Sequence, residues 1–143
     1  LGFKYLRNIS KVIKKNDGAL LLIDYGYTNK KMRNTLKAVS NHKFANILDN
    51  IGNSDITHNL NFNLLKTYTE QICGLKNYLT TQKKFLITMG IKERAEILSR
   101  NQTFTKKADI FYRLKRLIDE KQMGTLFKVM LLKNKKNNFK LGF

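Results

Sequence analysis

The sequence predicts an α/β fold whose sheet is incomplete within the chain. Three observations predict it. Gly18–Asp24 reads Gly-Ala-Leu-Leu-Leu-Ile-Asp, an unbroken apolar run of strand length that suits a strand covered on both faces, as in a parallel sheet. Amphipathic helical patterns flank that run and recur toward the C-terminus. Only two further segments, Leu75–Leu79 and Thr125–Leu132, have strand character, too few neighbours to satisfy the backbone of a central parallel strand.

Residues 3–15 set Tyr5, Leu6, Ile9, Val12 and Ile13 on one helical face, and Asn16-Asp17-Gly18 supplies a stop. The strand at 19–24 follows. It ends in Asp24 and Tyr25, at the carboxyl end, where open α/β sheets bind their ligands. Residues 26–54 are polar, rich in asparagine and weakly periodic, and read as one long loop of the functional kind. Asn61 stands at the N-cap of a helix over 62–72 that turns Leu64, Leu65, Tyr68 and Ile72 inward, and Gly74 ends it.

After the short strand at 75–79, helices are predicted over 83–89 and 92–99 with a break at Gly90. Residues 107–121 carry Ile110, Phe111, Leu114, Leu117 and Ile118, the clearest amphipathic pattern in the chain. Gly124 precedes the strand at 125–132, and the tail from Lys133 reads as basic and frayed. Residues 1–143 thus form a single segment with no repeats and no linker.

Composition narrows the classes of function. The formal net charge is +18, from 28 basic and 10 acidic residues. Such an excess raises nucleic acid as a partner, and a small basic nucleic-acid-binding module is the alternative reading, with Phe111-Tyr112-Arg113 and Phe139-Lys140 as its basic–aromatic pairs. Against it, 22 of those basic residues are lysine and only 6 arginine, they are scattered as Lys-Lys pairs, and 16 asparagines accompany them. That composition describes a solvated basic surface more simply than a binding groove.

No apolar run reaches the roughly 18–20 residues of a membrane span, so no membrane partner is expected. No secretory h-region is visible, and Cys73 is the only cysteine, which together lead to an expectation of a reducing, cytoplasmic setting. A start at Leu1 rather than methionine suggests a segment of something longer, or equally an unusual start codon.

Chemistry-bearing residues are few. His42, His58 and Cys73 lack metal-ligand spacing, so no metal is expected. Eight glycines include no Gly-x-Gly, so the close backbone approach that a nucleotide-like cofactor demands has no obvious source.

Several segments in order carry a resemblance: Ala19–Tyr27 (ALLLIDYGY), Thr35–Val39 with His42, Asp55–Phe62 (DITHNLNF), Gln82–Leu86, Gly90-Ile91 with Arg94-Ala95, Met123–Val129, and the terminal Gly142-Phe143. The series resembles the C-terminal part of the MidA-like S-adenosylmethionine-dependent methyltransferases. That family includes a mitochondrial factor that methylates an arginine on a core subunit of respiratory complex I. The family pattern around Asp55 reads Asp-Leu-Thr-Ala-His-Val-Asp-Phe. Its histidine therefore falls on Asn59 and its second aspartate on Asn61, while His58 stands one place early.

The resemblance implies the C-terminal portion of a class I, Rossmann-like methyltransferase fold, with 19–24 as its fifth strand, 75–79 and 125–132 as the antiparallel terminal pair, and helices inserted between them. It implies S-adenosylmethionine as the cofactor of the full-length family, and none for this chain alone, since the glycine-rich turn lies earlier in the family. A separately encoded N-terminal portion and a protein substrate are the implied partners; without that portion the chain is expected to be inactive.

The candidate substrate-binding residues are Asp24, Tyr25, His42, Asp55, Thr57 and Asn59. Asp24 suits the orientation of a guanidinium by a paired carboxylate, or equally the capping of the turn after the strand. His42 reads as a substrate contact or as a surface loop histidine. Asp55 and Thr57 read as substrate contacts or, slightly preferred, as local caps of the helix that follows.

Overall fold

The computed structural model describes residues 2–49 and 51–143; Leu1 and Asn50 lie outside the description. The elements run α1 (Gly2–Lys15), β1 (Ala19–Tyr27), β2 (Lys37–Ser40), β3 (Lys43–Ala45), β4 (Asp55–Thr57), β5 (Leu60–Asn61), α2 (Phe62–Gln71), β6 (Lys76–Thr81), α3 (Gln82–Thr88), α4 (Ile91–Ser99), α5 (Phe104–Ile118), α6 (Met123–Leu126) and β7 (Phe127–Lys133). The helices and the three strands read from the sequence are all present, within a few residues of their expected bounds.

They build a four-stranded mixed sheet of order β5-β1-β7-β6. β7 runs antiparallel to both neighbours, from Ala19 opposite Lys133 to Tyr25 opposite Phe127, and from Lys76 opposite Lys133 to Thr81 opposite Lys128. The antiparallel terminal pair is therefore β6–β7. Only β5 is parallel to β1, and it pairs with Gly26 and Tyr27 alone.

One face of this sheet carries the core. Met130 and Leu132 of β7 meet Leu6 and Ile13 of α1 and Phe62 of α2, with Cys73 and Leu75 from the turn after α2. Leu20 and Leu22 pack against that cluster from β1. Burying such side chains, at roughly 1.5–3 kcal/mol each, is what holds α1 and α2 on the sheet. On the other face, Val129 and Leu131 are buried and helices α3 and α6 contact β6 and β7.

Helix packing follows the amphipathic patterns only in part. On α1 the buried residues are Leu6, Ser10 and Ile13, whereas Tyr5, Ile9 and Val12 stay exposed. On α2 the buried positions are Phe62 and Thr69, and Leu64 and Ile72 face solvent. α5 contacts α3, α4 and α6 yet buries no residue fully, and Phe111 remains exposed. An apolar stripe specifies which face turns inward but not whether this chain supplies enough partners to cover it.

The expected coverage of β1 on both faces does not hold. Leu21 and Ile23 are 44% and 48% exposed, since α6, which touches β1, is only four residues long and leaves them part-covered. Nor is 26–54 a single loop. β2 and β3 form an antiparallel hairpin, and β4 adds to β2 from Lys37 opposite Thr57 to Val39 opposite Asp55, making a second, three-stranded sheet.

The tail also departs from expectation. Asn134 and Asn137 donate side-chain hydrogen bonds to the carbonyls of Lys14 (3.3 Å) and Asp17 (3.1 Å). Phe143 packs on Tyr78 and Phe85, with ring centroids 6.2 and 5.4 Å apart. The Lys133 ammonium, buried beneath the tail, donates to the Phe139 carbonyl and lies 5.1 Å from the centroid of the Tyr78 ring. A hydrogen bond with Lys76, aided by the charges of Lys133 and Lys140, holds the Tyr78 hydroxyl below its ordinary pKa. Aromatic docking and a satisfied lysine thus order a segment whose composition reads as frayed.

Candidate functional site

The site lies where β1 and β5 end side by side. Their approach depends on Gly26: a Cβ there would come within 2.4 Å of the Phe62 ring and 2.6 Å of the Leu60 carbonyl. Glycine is the residue that lets two backbones and a buried ring converge at this point. Asn61 then turns the chain from β5 into α2, its side-chain oxygen accepting from the Leu64 N–H at 3.1 Å, as the sequence predicts for an N-cap.

Beyond these strand ends opens a cavity of about 390 Å³ whose wall includes Tyr27, Arg33, Thr35, His58, Asn59 and Asn61. The segment after β1 folds back to close it. The Thr35 hydroxyl accepts from the Asn59 N–H at 3.0 Å, tying that segment to the chain entering β5. The Arg33 N–H donates to the Tyr27 hydroxyl at 3.1 Å, and its guanidinium stands 5.7 Å from the centroid of the Tyr27 ring. The Asn61 amide donates to the Met32 sulfur at 3.4 Å. His58 is exposed, with Nδ1 3.4 Å from the Asn59 carbonyl.

Of the six candidates, Asn59 lines this cavity. Asp24 and Tyr25 do not end the strand as expected: β1 runs on to Tyr27, and both lie inside it, opposite Lys128 and Phe127 of β7 and on opposite faces by strand alternation. Asp24 is exposed and accepts from the Tyr25 N–H at 2.7 Å, and Tyr25 stacks on Phe127 with centroids 4.1 Å apart. Asp55 and Thr57 lie on β4, paired with β2. They do not cap α2, because Asn61 already does. His42 sits at the tip of the β2–β3 hairpin, away from the cavity wall.

Tyr27, Arg33, Thr35 and Asn61 were not among the candidates. Tyr27, Thr35 and Asn61 lie inside segments that the resemblance marks, but the Thr35–Asn59 contact spans 24 residues and has no local signature.

Adenosyl cofactors in such folds sit on a glycine-rich turn with an acidic residue on the ribose. No Asp or Glu lines this wall, and Arg33 adds a positive charge to it. Among the described residues no cluster of His, Cys, Asp or Glu could hold a metal ion. No described helix is long and apolar enough to cross a membrane.

A mixed sheet with an antiparallel terminal pair and helices on it is the arrangement of part of a class I methyltransferase fold. Residues 2–81 match the profile of a family described as putative S-adenosyl-L-methionine-dependent methyltransferases, and the chain belongs to that family. Its similarity extends to the mitochondrial protein arginine methyltransferase NDUFAF7 of Danio rerio, 26% identical over 130 residues, which are 90% of this chain and 30% of the relative. The protein of the same name from Xenopus tropicalis is 26% identical over 124 residues, 86% of this chain and 28% of its own length. The chain thus spans less than a third of the curated relatives it matches. A likely methyl transferase from Burkholderia thailandensis, solved with S-adenosyl-homocysteine, shares the fold at a TM-score of 0.79 and 24% identity, over 99% of this chain and 38% of that one. An uncharacterised protein from the same organism reaches 0.81, also at 24% identity, over 99% of this chain and 39% of its own.

Proposed function

We propose that this chain is the substrate-facing, C-terminal portion of a protein arginine methyltransferase of the kind linked to respiratory complex I assembly, working only with a cofactor-binding N-terminal portion. The observation that carries the reading is the cavity beyond the parallel ends of β1 and β5, mostly apolar with Arg33, His58, Asn59 and Asn61 in its wall. It belongs to a chain of a methyltransferase family, and no acidic residue stands in that wall to take a cofactor ribose. The relatives named as arginine methyltransferases support the substrate class.

In this reading the chain's work is to bind and aim an arginine. One oxygen of Asp24 is held by the Tyr25 N–H, and the carboxylate faces solvent with lone pairs available to a guanidinium. Fixing the guanidinium plane aims one nitrogen at the methyl group that the N-terminal portion presents. The exposed Tyr25 ring, backed by Phe127 on the face of β1 opposite Asp24, offers a separate contact for the substrate protein away from that arginine. Asn59 contributes from the cavity wall, and Asp55, Thr57 and His42 present contacts on the outlying sheet for the surrounding protein surface. The single buried thiol of Cys73 suits a reducing compartment, cytoplasmic by composition, although the relatives carry mitochondrial names.

Two measurements test this. Calorimetric titration of the chain alone with S-adenosylhomocysteine should give no saturable heat; saturable binding would place a cofactor site within these 143 residues and overturn the division of labour. With the N-terminal portion supplied, transfer of labelled methyl to protein arginine should fall about 100-fold in Asp24→Asn, the scale expected when a positioning contact is lost.

A further inference from the structure

α5 is the longest helix of the chain and buries none of its side chains fully, although it contacts both α3 and α4. Two grooves run beside it. The one against α4, of about 190 Å³, is lined by Ile91, Ala95, Leu98, Ile110, Leu114 and Leu117, with Arg94 and Arg113. The one against α3, of about 390 Å³, is lined by Ile87, Phe111, Leu114 and Ile118, with Lys83, Lys92, Lys115 and Asp119. Leu114 lines both, so the grooves adjoin, and Leu98 and Phe111 remain exposed in them.

The lining has two chemistries, and each limits the occupant. The apolar residues of α5 fall at 110, 114 and 117 in one groove and at 111, 114 and 118 in the other. Those rows cover about 12 Å of helix, a little over two turns. Rows of that length accept side chains spaced one helical turn apart, as an amphipathic helix presents them when it lies in a groove. Against that apolar floor stand five cations and, in either wall, a single carboxylate, Asp119. Arg113 is paired with Asp109 at 2.8 Å and Lys83 with Glu120 at 2.6 Å. Lys92, Arg94 and Lys115 form no ion pair among the described residues.

Unpaired cations around an apolar floor complement carboxylates that flank an apolar row. A nucleic acid would meet the cations and leave the aliphatic lining uncovered. A second copy of this face would bring the same cations onto one another.

We propose that the grooves on either side of α5 are the docking surface for an acidic amphipathic helix of a partner protein. Its apolar row lies along Leu98, Ile110, Phe111, Leu114 and Leu117, and its carboxylates meet Lys92, Arg94 and Lys115. The inference concerns binding alone and stands whether or not the chain takes part in methyl transfer.

The probe is a helical peptide of about 14 residues, some four turns, with leucine along one face and glutamate elsewhere. Fluorescence anisotropy should show it binding the 143-residue chain about tenfold tighter than a peptide of the same composition with its leucines scattered around the helix. Hydrogen exchange of the amides in 91–99 and 104–118 should slow about tenfold on binding, with β2 and β3 unchanged. Arg94→Glu with Lys115→Glu should weaken binding about tenfold or more. Lys11→Glu with Lys14→Glu, on α1, makes the same change in net charge and should leave binding within about twofold. All four positions are exposed, so the unfolding midpoint should stay put in both variants.

Absence of binding overturns the proposal. So does equal binding of the two peptides, or equal weakening by the two pairs of substitutions, since net charge alone would give either result. A single-stranded oligonucleotide that protects the same two helices overturns it in favour of nucleic acid. Self-association of the chain that protects them overturns it in favour of a second copy. Protection of α4 and α5 with no peptide added, in a fusion to the part of the Burkholderia thailandensis S-adenosyl-homocysteine-bound relative that this chain does not match, overturns it in favour of a cover from within the domain.

Discussion

The two sheets of this molecule differ in what stands behind them. The four-stranded sheet has α1 and α2 on one face and a buried cluster running from Leu6 to Leu132. The three-stranded sheet has strands of three and four residues and buries one side chain, Ala38. Phe62, on the first, is 0% exposed; Phe44, on the second, is 79% exposed, with the Lys37 ammonium 5.4 Å from its ring centroid. Short strands without a covering layer are marginal by themselves. The difference teaches that one region supplies stability and the other a presented surface.

The sharpest way to break that comparison is to remove one ring from each. Phe62→Ala should cost about 3–5 kcal/mol in urea unfolding, since it empties a fully buried site. Phe44→Ala should cost less than about 1 kcal/mol, the scale of an exposed cation–π contact. If the two cost the same, the small sheet has a core of its own and the division is wrong.

Next in size is Gly26→Ala. The added methyl collides with the Phe62 ring and the Leu60 carbonyl, and overpacking of this kind costs about 1–3 kcal/mol. Hydrogen exchange should show the loss at β5 and the start of α2, with β2–β3 untouched. A methyl tolerated without cost would mean that β1 and β5 are not held in close register, and the cavity beyond them would lose its wall.

The same contrast governs what was legible in the sequence. The β7 segment Phe-Lys-Val-Met-Leu-Leu-Lys, the strand at Ala19, and the Asn61 cap are local signals, because composition and capping chemistry act within a few residues. β2, β3 and β4 carry no such signal. Their strands are too short to show alternation, and their hairpin turn is Asn41-His42 rather than Asn-Gly.

The candidate site divides the same way. β1 was readable from the apolar run but not its end, which runs past Asp24 to Tyr27, and the wall at Arg33, Thr35 and Asn61 exists only through contacts such as Thr35 to Asn59. Burial was the least legible property: β1 and α5 have strong apolar patterns, yet Leu21 and Phe111 face solvent.

The smallest effect is the most telling about cooperativity. Asn41 and His42 both have positive φ, 50° and 60°, in a two-residue turn between Ser40 and Lys43, the geometry that favours glycine at its second position. His42→Gly should therefore stabilise the hairpin by a few tenths to about 1 kcal/mol, the cost of holding a side chain in the left-handed region. If the small sheet opens independently, exchange of the β2–β3 amides slows while the global unfolding midpoint stays put. If the midpoint rises by the full amount, the hairpin unfolds only with the main sheet. The outlying surface would then be a rigid extension of the site rather than a separately mobile one, and its contacts with a substrate would be set before binding.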